Sequence, residues 1–273
     1  MAPPKKHEII TFKVDEALSQ AMQGRRDRFI VGTKIGWRNF DREKNQTAYD
    51  TVEKLIAGVE SNLRRLNTDY VDLIQSHISY YEPTMTVFLE GFQRLQRDGK
   101  VRAYGVSTSD FEYLKRFNAD GGCSSLQIDY SILNRTPEAE IFPYCQQNNI
   151  GVIVRGPLAM GILTGKFSAD SRFPEEDFRH AWHDDPEQRA IFQQDLKTVD
   201  DLRPLAEGRT LAQLALQFAM AHPAVTTVIP GAKTPAQLRD NVGAALLPPL
   251  TANDMRRIDA LVPPGGGRKI WPA

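Results

Sequence analysis

Hydrophobic and polar positions along the chain form two kinds of segment, short apolar runs and longer runs with helical spacing. The short runs are rich in Val and Ile and lack polar alternation, which is typical of strands buried on both faces of a parallel sheet. Six of them begin near residues 29, 70, 101, 126, 151 and 226. Helical runs separate most of these strands, and such alternation predicts an α/β fold with right-handed crossovers.

The helical runs are bounded by residues that favour helix starts and stops. Thr47, Thr234 and Thr251 are suited to N-cap positions, and Gly24 and Gly99 end the helices before them. The spacing predicts helices over 14–23, 47–66, 84–97, 110–117, 137–149, 187–208, 210–222, 234–245 and 251–261. The polar segment Phe167–Pro186 is longer than most connections, and such loops are usually functional or disordered.

The run from Val152 to Lys166 is the stretch around which the chain is organised. Its strand ends abruptly at Gly156-Pro157, and Gly161 and Gly165 then allow a close approach of the backbone to another group. Parallel α/β proteins place their sites where a strand opens into such a loop. The alternative is a buried strand followed by an ordinary turn.

The charge, the cysteine content and the lengths of the apolar runs exclude several classes of function. Lys+Arg and Asp+Glu number 34 each, so nothing favours a nucleic-acid or membrane partner. The two cysteines, Cys123 and Cys145, make neither a disulfide framework nor a metal site and are expected to be buried. Met1–His7 has no apolar core, and no apolar run approaches about 18 residues. We therefore expect a soluble, cytoplasmic protein.

A polar residue stands at the end of each predicted strand. In a parallel barrel these ends point to one face, so a convergent polar site is expected there. The alternative is that strand ends are polar because they meet water. The residues are Lys34, His77, Ser107, Gln127, Arg155 and Lys233.

Seven segments carry a family pattern, and they occur in the chain in the family's order. They are Gly32-Thr33-Lys34, Asn62–Leu73, Gln75-Ser76-His77, Gly99–Ser107, Gln127–Tyr130, Gly156–Lys166 and Val228–Asn241. On these segments the chain resembles the aldo-keto reductase family, the NADP-dependent oxidoreductases, over roughly Val14 to Leu261. The resemblance implies one TIM-type (β/α)8 barrel domain over residues 1–273, with NADP(H) as cofactor and aldehydes or ketones reduced to alcohols.

The resemblance also implies a catalytic tetrad of Asp, Tyr, Lys and His. Lys34 matches the family lysine and His77 the family histidine. In the family mechanism the Tyr donates a proton to the developing alkoxide, the Asp-paired Lys lowers the Tyr pKa, and the His orients the carbonyl.

Cofactor contacts follow from the same resemblance. Ser107 and Gln127 would hold the nicotinamide carboxamide, and Lys233 would pair with a 2′-phosphate, although a solvated lysine is the alternative. Gly231, Gln237 and Asn241 would join Lys233 at the adenosine end. The remaining implied cofactor-binding residues are Arg155, Gly156 and Leu158.

The N-terminal part of the family pattern has no counterpart, so the resemblance is to an N-terminally truncated, incomplete barrel. The atypical residues 1–13 stand where two strands and a helix belong, and no Asp or Tyr precedes Asp15. Loss of a general acid typically costs about 10²–10⁴ in rate. A non-catalytic NADP(H)-binding pseudoenzyme is therefore the alternative function, and a poorly folding fragment is a third. Ile9–Phe12 could supply one replacement strand.

Smaller departures concern single positions. Thr108 stands where the family usually has Asn, and Arg155 where an aromatic side chain stacks on the nicotinamide, although a guanidinium plane can stack too. His180 and His183 have no third ligand nearby, so no metal site is expected. Residues 263–273 are rich in Gly and Pro and are predicted to form a flexible tail.

Overall fold

A computed structural model describes residues 17–39 and 47–270 of the chain. Its contacts divide the chain into two units, Met1–Leu126 and Gln127–Ala273. The single domain over 1–273 stays a prediction, and the replacement strand at Ile9–Phe12 lies outside the described residues. Each unit is described by itself below.

All six strands that the apolar runs predict are present. The described strands are β1 (Gly32–Ile35), β2 (Trp37–Asn39), β3 (Thr47–Ala48), β4 (Val71–Ser76), β5 (Val101–Ser107), β6 (Ser125–Asp129), β7 (Gly151–Arg155) and β8 (Val225–Val228). The helices are α1, which includes residues 17–22, and α2 (Val52–Leu66), α3 (Thr84–Arg97), α4 (Phe111–Phe117), α5 (Ile141–Gln147), α6 (Ala181–Asp184), α7 (Pro186–Leu202), α8 (Leu211–Ala221), α9 (Pro235–Gly243) and α10 (Ala252–Leu261).

In the first unit, β1, β4 and β5 lie side by side in a parallel arrangement. Helices α2 and α3 cover them with apolar side chains at helical spacing, and Leu55, Val59, Phe88 and Phe92 are fully buried. Gly91 permits the close contact of the two helices, because a Cβ there would lie 2.5 Å from Leu55 Cδ2. The strand ends in this unit therefore rest on a packed core.

The helix predicted over 47–66 begins later than expected. Its first residue is Val52, and the N-cap is Thr51, whose hydroxyl accepts a hydrogen bond from Lys54 N. Thr47 lies instead in β3, which pairs with β2 in antiparallel fashion within the segment predicted to be a loop. Both threonines suit an N-cap, so the pairing of β2 with β3 decides between them.

In the second unit, β6, β7 and β8 are neighbours, and β7 pairs with β8 in parallel. Helix α8 begins in a capping box between Thr210 and Gln213 and is buried along most of its length. The helix predicted over 137–149 is divided into a 3₁₀ turn at Thr136–Glu138 and α5. The helix predicted over 187–208 ends at Leu202 and is followed by a 3₁₀ turn.

The predicted polar loop at 167–186 contains short helices and an aromatic cluster. A 3₁₀ turn at Phe178–His180 leads into α6. Phe173 and Trp182 pack edge to face with ring centroids 5.5 Å apart, and Trp182 stacks on Phe192 of α7 at 5.1 Å. This packing fixes the loop on α7, although its composition is polar.

None of the helices in the described parts of the chain has both the length and the apolar character that crossing a membrane requires.

Candidate functional site

The carboxyl ends of β1, β4 and β5 bring three predicted residues to one edge of the first unit. Lys34 pairs in register with Gln75, and Ser76 pairs with Val106, so His77 and Ser107 follow at the same level. The His77 N–H donates to Ile35 O at 2.9 Å, which extends the ladder by one residue. Lys34, His77 and Ser107 therefore occupy adjacent strand ends, as the sequence predicts.

The His77 imidazole is exposed and lies in an aromatic setting. The Trp37 ring meets His77 edge to face at 6.3 Å and meets Tyr80 in the same way at 6.3 Å. Lys34 is half-buried at the end of β1. A cation and an imidazole beside open aromatic surface can polarise an oxygen atom of a small molecule.

Thr108 stands where the family usually has Asn, and it links two loops of the first unit. Its hydroxyl lies 2.7 Å from Ser79 Oγ and accepts a hydrogen bond from Asp110 N at 3.0 Å. The residue is buried. Thr108 thus joins the loop after β4 to the start of α4, where the Asp110 carboxylate caps Tyr113 N.

In the second unit, β6 carries two buried polar residues on one face, Gln127 and Asp129. Asp129 Oδ2 accepts hydrogen bonds from Asn134 Nδ2 at 2.9 Å and from Ile270 N at 3.2 Å. Burial lowers the pKa of Arg155, and the Asp129 charge opposes this effect. Asp129 was missed in the sequence, although its spacing of two from Gln127 places both on the same face of a strand.

The turn after β7 depends on a glycine. Gly156 has φ +64°, and a Cβ there would lie 2.8 Å from Asp129 Oδ1. The turn continues at Leu158, whose carbonyl accepts hydrogen bonds from Gly161 N and Leu163 N. Ala159 and Met160 both have positive φ. The glycine-containing loop that the sequence singles out is therefore a compact turn with a strained backbone.

Two side chains that are predicted to bind the cofactor, Gln237 and Asn241, also hold the loop after β8 in place. Lys233 N donates to Gln237 Oε1 at 2.7 Å, and Asn241 Nδ2 donates to Gly231 O at 3.3 Å. Thr234 caps α9 by accepting from Gln237 N. Gly231, Lys233, Gln237 and Asn241 thus lie together at the start of α9, where the helix dipole favours an anion.

Further charged residues lie in the chain segment that follows β7. Arg179 Nε and Nη2 donate to the two carboxylate oxygens of Asp177 at 2.9 and 2.5 Å. Burial and the charges of Arg179 and Lys233 lower the pKa of Lys166. We call Lys166, Arg179 and Lys233 the cationic cluster. Sequence reasoning missed Lys166 and Arg179, and the only sign was their place in glycine-rich and polar loops.

His180 and His183 have a local role in the 167–186 loop. His180 Nδ1 and His183 Nε2 lie 3.0 and 3.2 Å from the carbonyl oxygen of Phe173, and His183 Nε2 also accepts from Phe173 N. Among the described residues there is no group of three side chains able to hold a metal ion.

Two groups of site residues result, one in each unit. The first unit supplies the cation, imidazole and hydroxyl at its strand ends. The second supplies the buried Gln127 and Asp129 of β6 and the half-buried Arg155 of β7, together with a set of cations suited to a polyanion. Polar and charged residues at the carboxyl ends of parallel strands are typical of α/β enzymes.

Comparison with known proteins agrees with this class. The model of the aldo/keto reductase family matches residues 12–263. Aldo-keto reductase YhdN of Bacillus subtilis is 31% identical over 233 residues, which cover 82% of this chain and 68% of YhdN. This chain is therefore an oxidoreductase and belongs to the aldo/keto reductase family.

Solved structures give the same result for the fold. The holo form of an aldo-keto reductase from Bacillus halodurans has a TM-score of 0.73 and 31% identity, over 90% of this chain and 77% of that one. An aldo/keto reductase from Klebsiella pneumoniae, in complex with NADP and acetate, has a TM-score of 0.64 and 26% identity, over 92% and 76% of the two chains. The fold class is accordingly α/β of the TIM-barrel type, as predicted.

Proposed function

We propose that this chain binds NADP(H) and reduces aldehydes or ketones to alcohols. The observation that carries the proposal is the register of β1, β4 and β5, which puts Lys34, His77 and Ser107 at adjacent strand ends. The family match and the NADP-bound structure from Klebsiella support the choice of chemistry.

The chemistry of the second unit fits the cofactor. NADP(H) carries a pyrophosphate and a 2′-phosphate, and the cationic cluster supplies fixed positive charge for such groups. Lys233, Gly231, Gln237 and Asn241 would hold the adenosine end beside the start of α9. Gln127 would contact the nicotinamide carboxamide with Ser107, and Arg155, Gly156 and Leu158 would line the same part of the cofactor.

When bound, NADPH would supply a hydride to the carbonyl carbon, and a solvent water would supply the proton that converts the alkoxide into the alcohol. His77 would donate a hydrogen bond to the carbonyl oxygen and so orient it. The charge of Lys34 would stabilise the negative charge that develops on that oxygen. The Trp37 and Tyr80 rings beside His77 would offer apolar surface to the carbon atoms of the substrate.

An alternative function is binding of NADP(H) without turnover. It follows from the resemblance, in which Lys34 and His77 are the two members of the family tetrad that this sequence matches. Under this alternative the second unit keeps its role, and Lys34 and His77 do not support reduction.

Two measurements test the proposal. Titration of NADPH by fluorescence measures binding, and aldehyde-dependent oxidation of NADPH measures turnover. We expect Lys34→Met to lower kcat at least about 100-fold, while the affinity for NADPH changes little. Lys54→Met is the matched control, because Lys54 pairs only with Asp50 on the exposed side of α2 among the described residues. Binding without turnover in the unaltered chain would favour the alternative function.

A further inference from the structure

The end of β7 carries a charged side chain where the family pattern has an aromatic one. Arg155 is the last residue of this strand, and it is half-buried. A guanidinium is positively charged throughout the physiological pH range. A cofactor ring that packs on Arg155 therefore meets a fixed positive charge, which an aromatic residue at this position does not supply.

A carboxylate lies against the same strand end, that of Asp129 on the neighbouring strand β6. The next residue, Tyr130, donates its N–H to Arg155 O at 3.4 Å. On the other side of Arg155, an added Cβ at Gly156 would lie 2.8 Å from Asp129 Oδ1. Burial lowers the pKa of Arg155, and the Asp129 charge acts in the opposite direction. Asp129 and Arg155 are thus opposite charges at one strand end.

The Asp129 carboxylate is fixed in this position by its other contacts. Only 2% of the residue is exposed. Its Oδ2 atom accepts hydrogen bonds from Asn134 Nδ2 at 2.9 Å and from Ile270 N at 3.2 Å. Salt screens a buried charge much less than an exposed one. The negative charge of Asp129 therefore acts on nearby groups with little attenuation.

The two redox forms of a nicotinamide cofactor differ in the charge of the ring. The ring of NADP⁺ is positively charged, whereas the ring of NADPH is neutral. A net positive charge beside the ring would therefore disfavour NADP⁺, and a net negative charge would favour it. A pair of opposite charges leaves the balance between the two forms close to that of a neutral site.

We propose that Asp129 offsets the charge of Arg155 beside the nicotinamide ring and thereby sets the relative affinity of this chain for NADP⁺ and NADPH. The proposal rests on the proposed binding of NADP(H), with Arg155 next to the ring. Its consequence concerns the direction of the reaction. Without Asp129 the oxidised cofactor would bind weakly and carbonyl reduction would be favoured, and without Arg155 the bias would be reversed.

The test is the ratio of the dissociation constants of NADP⁺ and NADPH. NADPH is titrated by its fluorescence, and NADP⁺ by displacement of bound NADPH. We expect Asp129→Asn to raise the ratio about three- to tenfold and Arg155→Met to lower it by a similar factor. The double variant, which has neither charge, should return close to the unaltered ratio. Structural damage would instead weaken both forms alike.

Asp195→Asn is the matched control, because Asp195 is also buried and also pairs with the C-terminal segment, through Arg268. We expect this variant to leave the ratio unchanged. An unchanged ratio in both Asp129→Asn and Arg155→Met would overturn the proposal, as would shifts in the same direction or an equal shift in Asp195→Asn. If thermal unfolding shows that Asp129→Asn does not fold, Arg155→Met decides the question alone. If the unaltered chain bound neither form, the proposed function itself would fail.

Discussion

At the scale of single residues, the site depends on backbone conformations and buried polar contacts. Gly156 joins β7 to its loop with a left-handed backbone, directly against the Asp129 carboxylate. An added Cβ at Gly156 would therefore cause both backbone strain and a clash with Asp129. Gly121 allows these two effects to be measured separately. Gly121 has φ +74°, but a Cβ there would meet nothing within 4 Å.

We predict that Gly121→Ala lowers the free energy of unfolding by about 1–2 kcal/mol, the cost of a left-handed non-glycine residue. Gly156→Ala should lower it by about 1–3 kcal/mol more, because overpacking against Asp129 is added. Urea unfolding of the two variants measures the difference. Equal effects would show that the contact with Asp129 is relieved without cost.

Strand-end residues were predictable from the sequence because one general rule places them. The carboxyl ends of parallel strands share an edge, so the sequence alone is enough to group Lys34, His77 and Ser107. Asp177 and Arg179 could not be grouped with Lys166 in this way. Their contact depends on how aromatic residues fold the 167–186 loop, and no periodic pattern records that folding.

At the scale of elements, helix starts were harder to place than the helices themselves. The N-cap threonines Thr210, Thr234 and Thr251 lie where the sequence predicts a helix to start. Thr47 failed as a cap because its segment pairs with β2, where Asn39 lies opposite Thr47 and Trp37 opposite Ala48. Local preference could not foresee that pairing.

The 167–186 loop gives a prediction about pH. The pKa of Asp177 is lowered from 3.8 to about 2 by the hydrogen bonds and charge of Arg179. A carboxylate with a lowered pKa stabilises the folded state above its unfolded pKa, and this contribution is lost as the pH falls through the folded pKa. Asp177 should therefore contribute fully above about pH 5 and lose its contribution toward pH 2.

We expect the difference in unfolding free energy between the unaltered chain and Asp177→Asn to be constant from about pH 5 to 7 and to shrink between about pH 4 and 2. Urea unfolding across this range gives the difference, and carboxyl NMR gives the titration of Asp177 directly. A midpoint near the ordinary value for Asp would contradict the observed pairing with Arg179.

At the scale of the whole molecule, the C-terminal segment ties distant parts of the second unit together. Gly266 O accepts from Arg135 N at 2.9 Å, and Arg268 N donates to Leu133 O at 3.0 Å. Arg268 also pairs with the buried Asp195 of α7. Composition alone predicted a flexible tail here, because a high glycine content indicates conformational freedom of the unfolded chain. Composition contains no information about hydrogen-bond partners far along the sequence.

We predict that deletion of residues 265–273 lowers the unfolding free energy by about 3 kcal/mol, because several hydrogen bonds of about 1 kcal/mol each are lost. Asp195 and Asp129 would also lose partners, the Arg268 guanidinium and the Ile270 N–H. Thermal and urea unfolding measure the loss. Deletion of 271–273 is the control, since it removes none of these bonds, and equal stability of the two deletions would show that the tail is flexible as predicted.

The amide side chains of Gln237 and Asn241 already hold the loop after β8 through Lys233 N and Gly231 O. This loop is thus preorganised before any nucleotide arrives. A ligand that binds there does not have to order a flexible backbone, so the loop loses little conformational entropy on binding. Under the proposed function, the adenosine end of the cofactor should consequently associate quickly with this loop, and its residence time should be set by the dissociation rate.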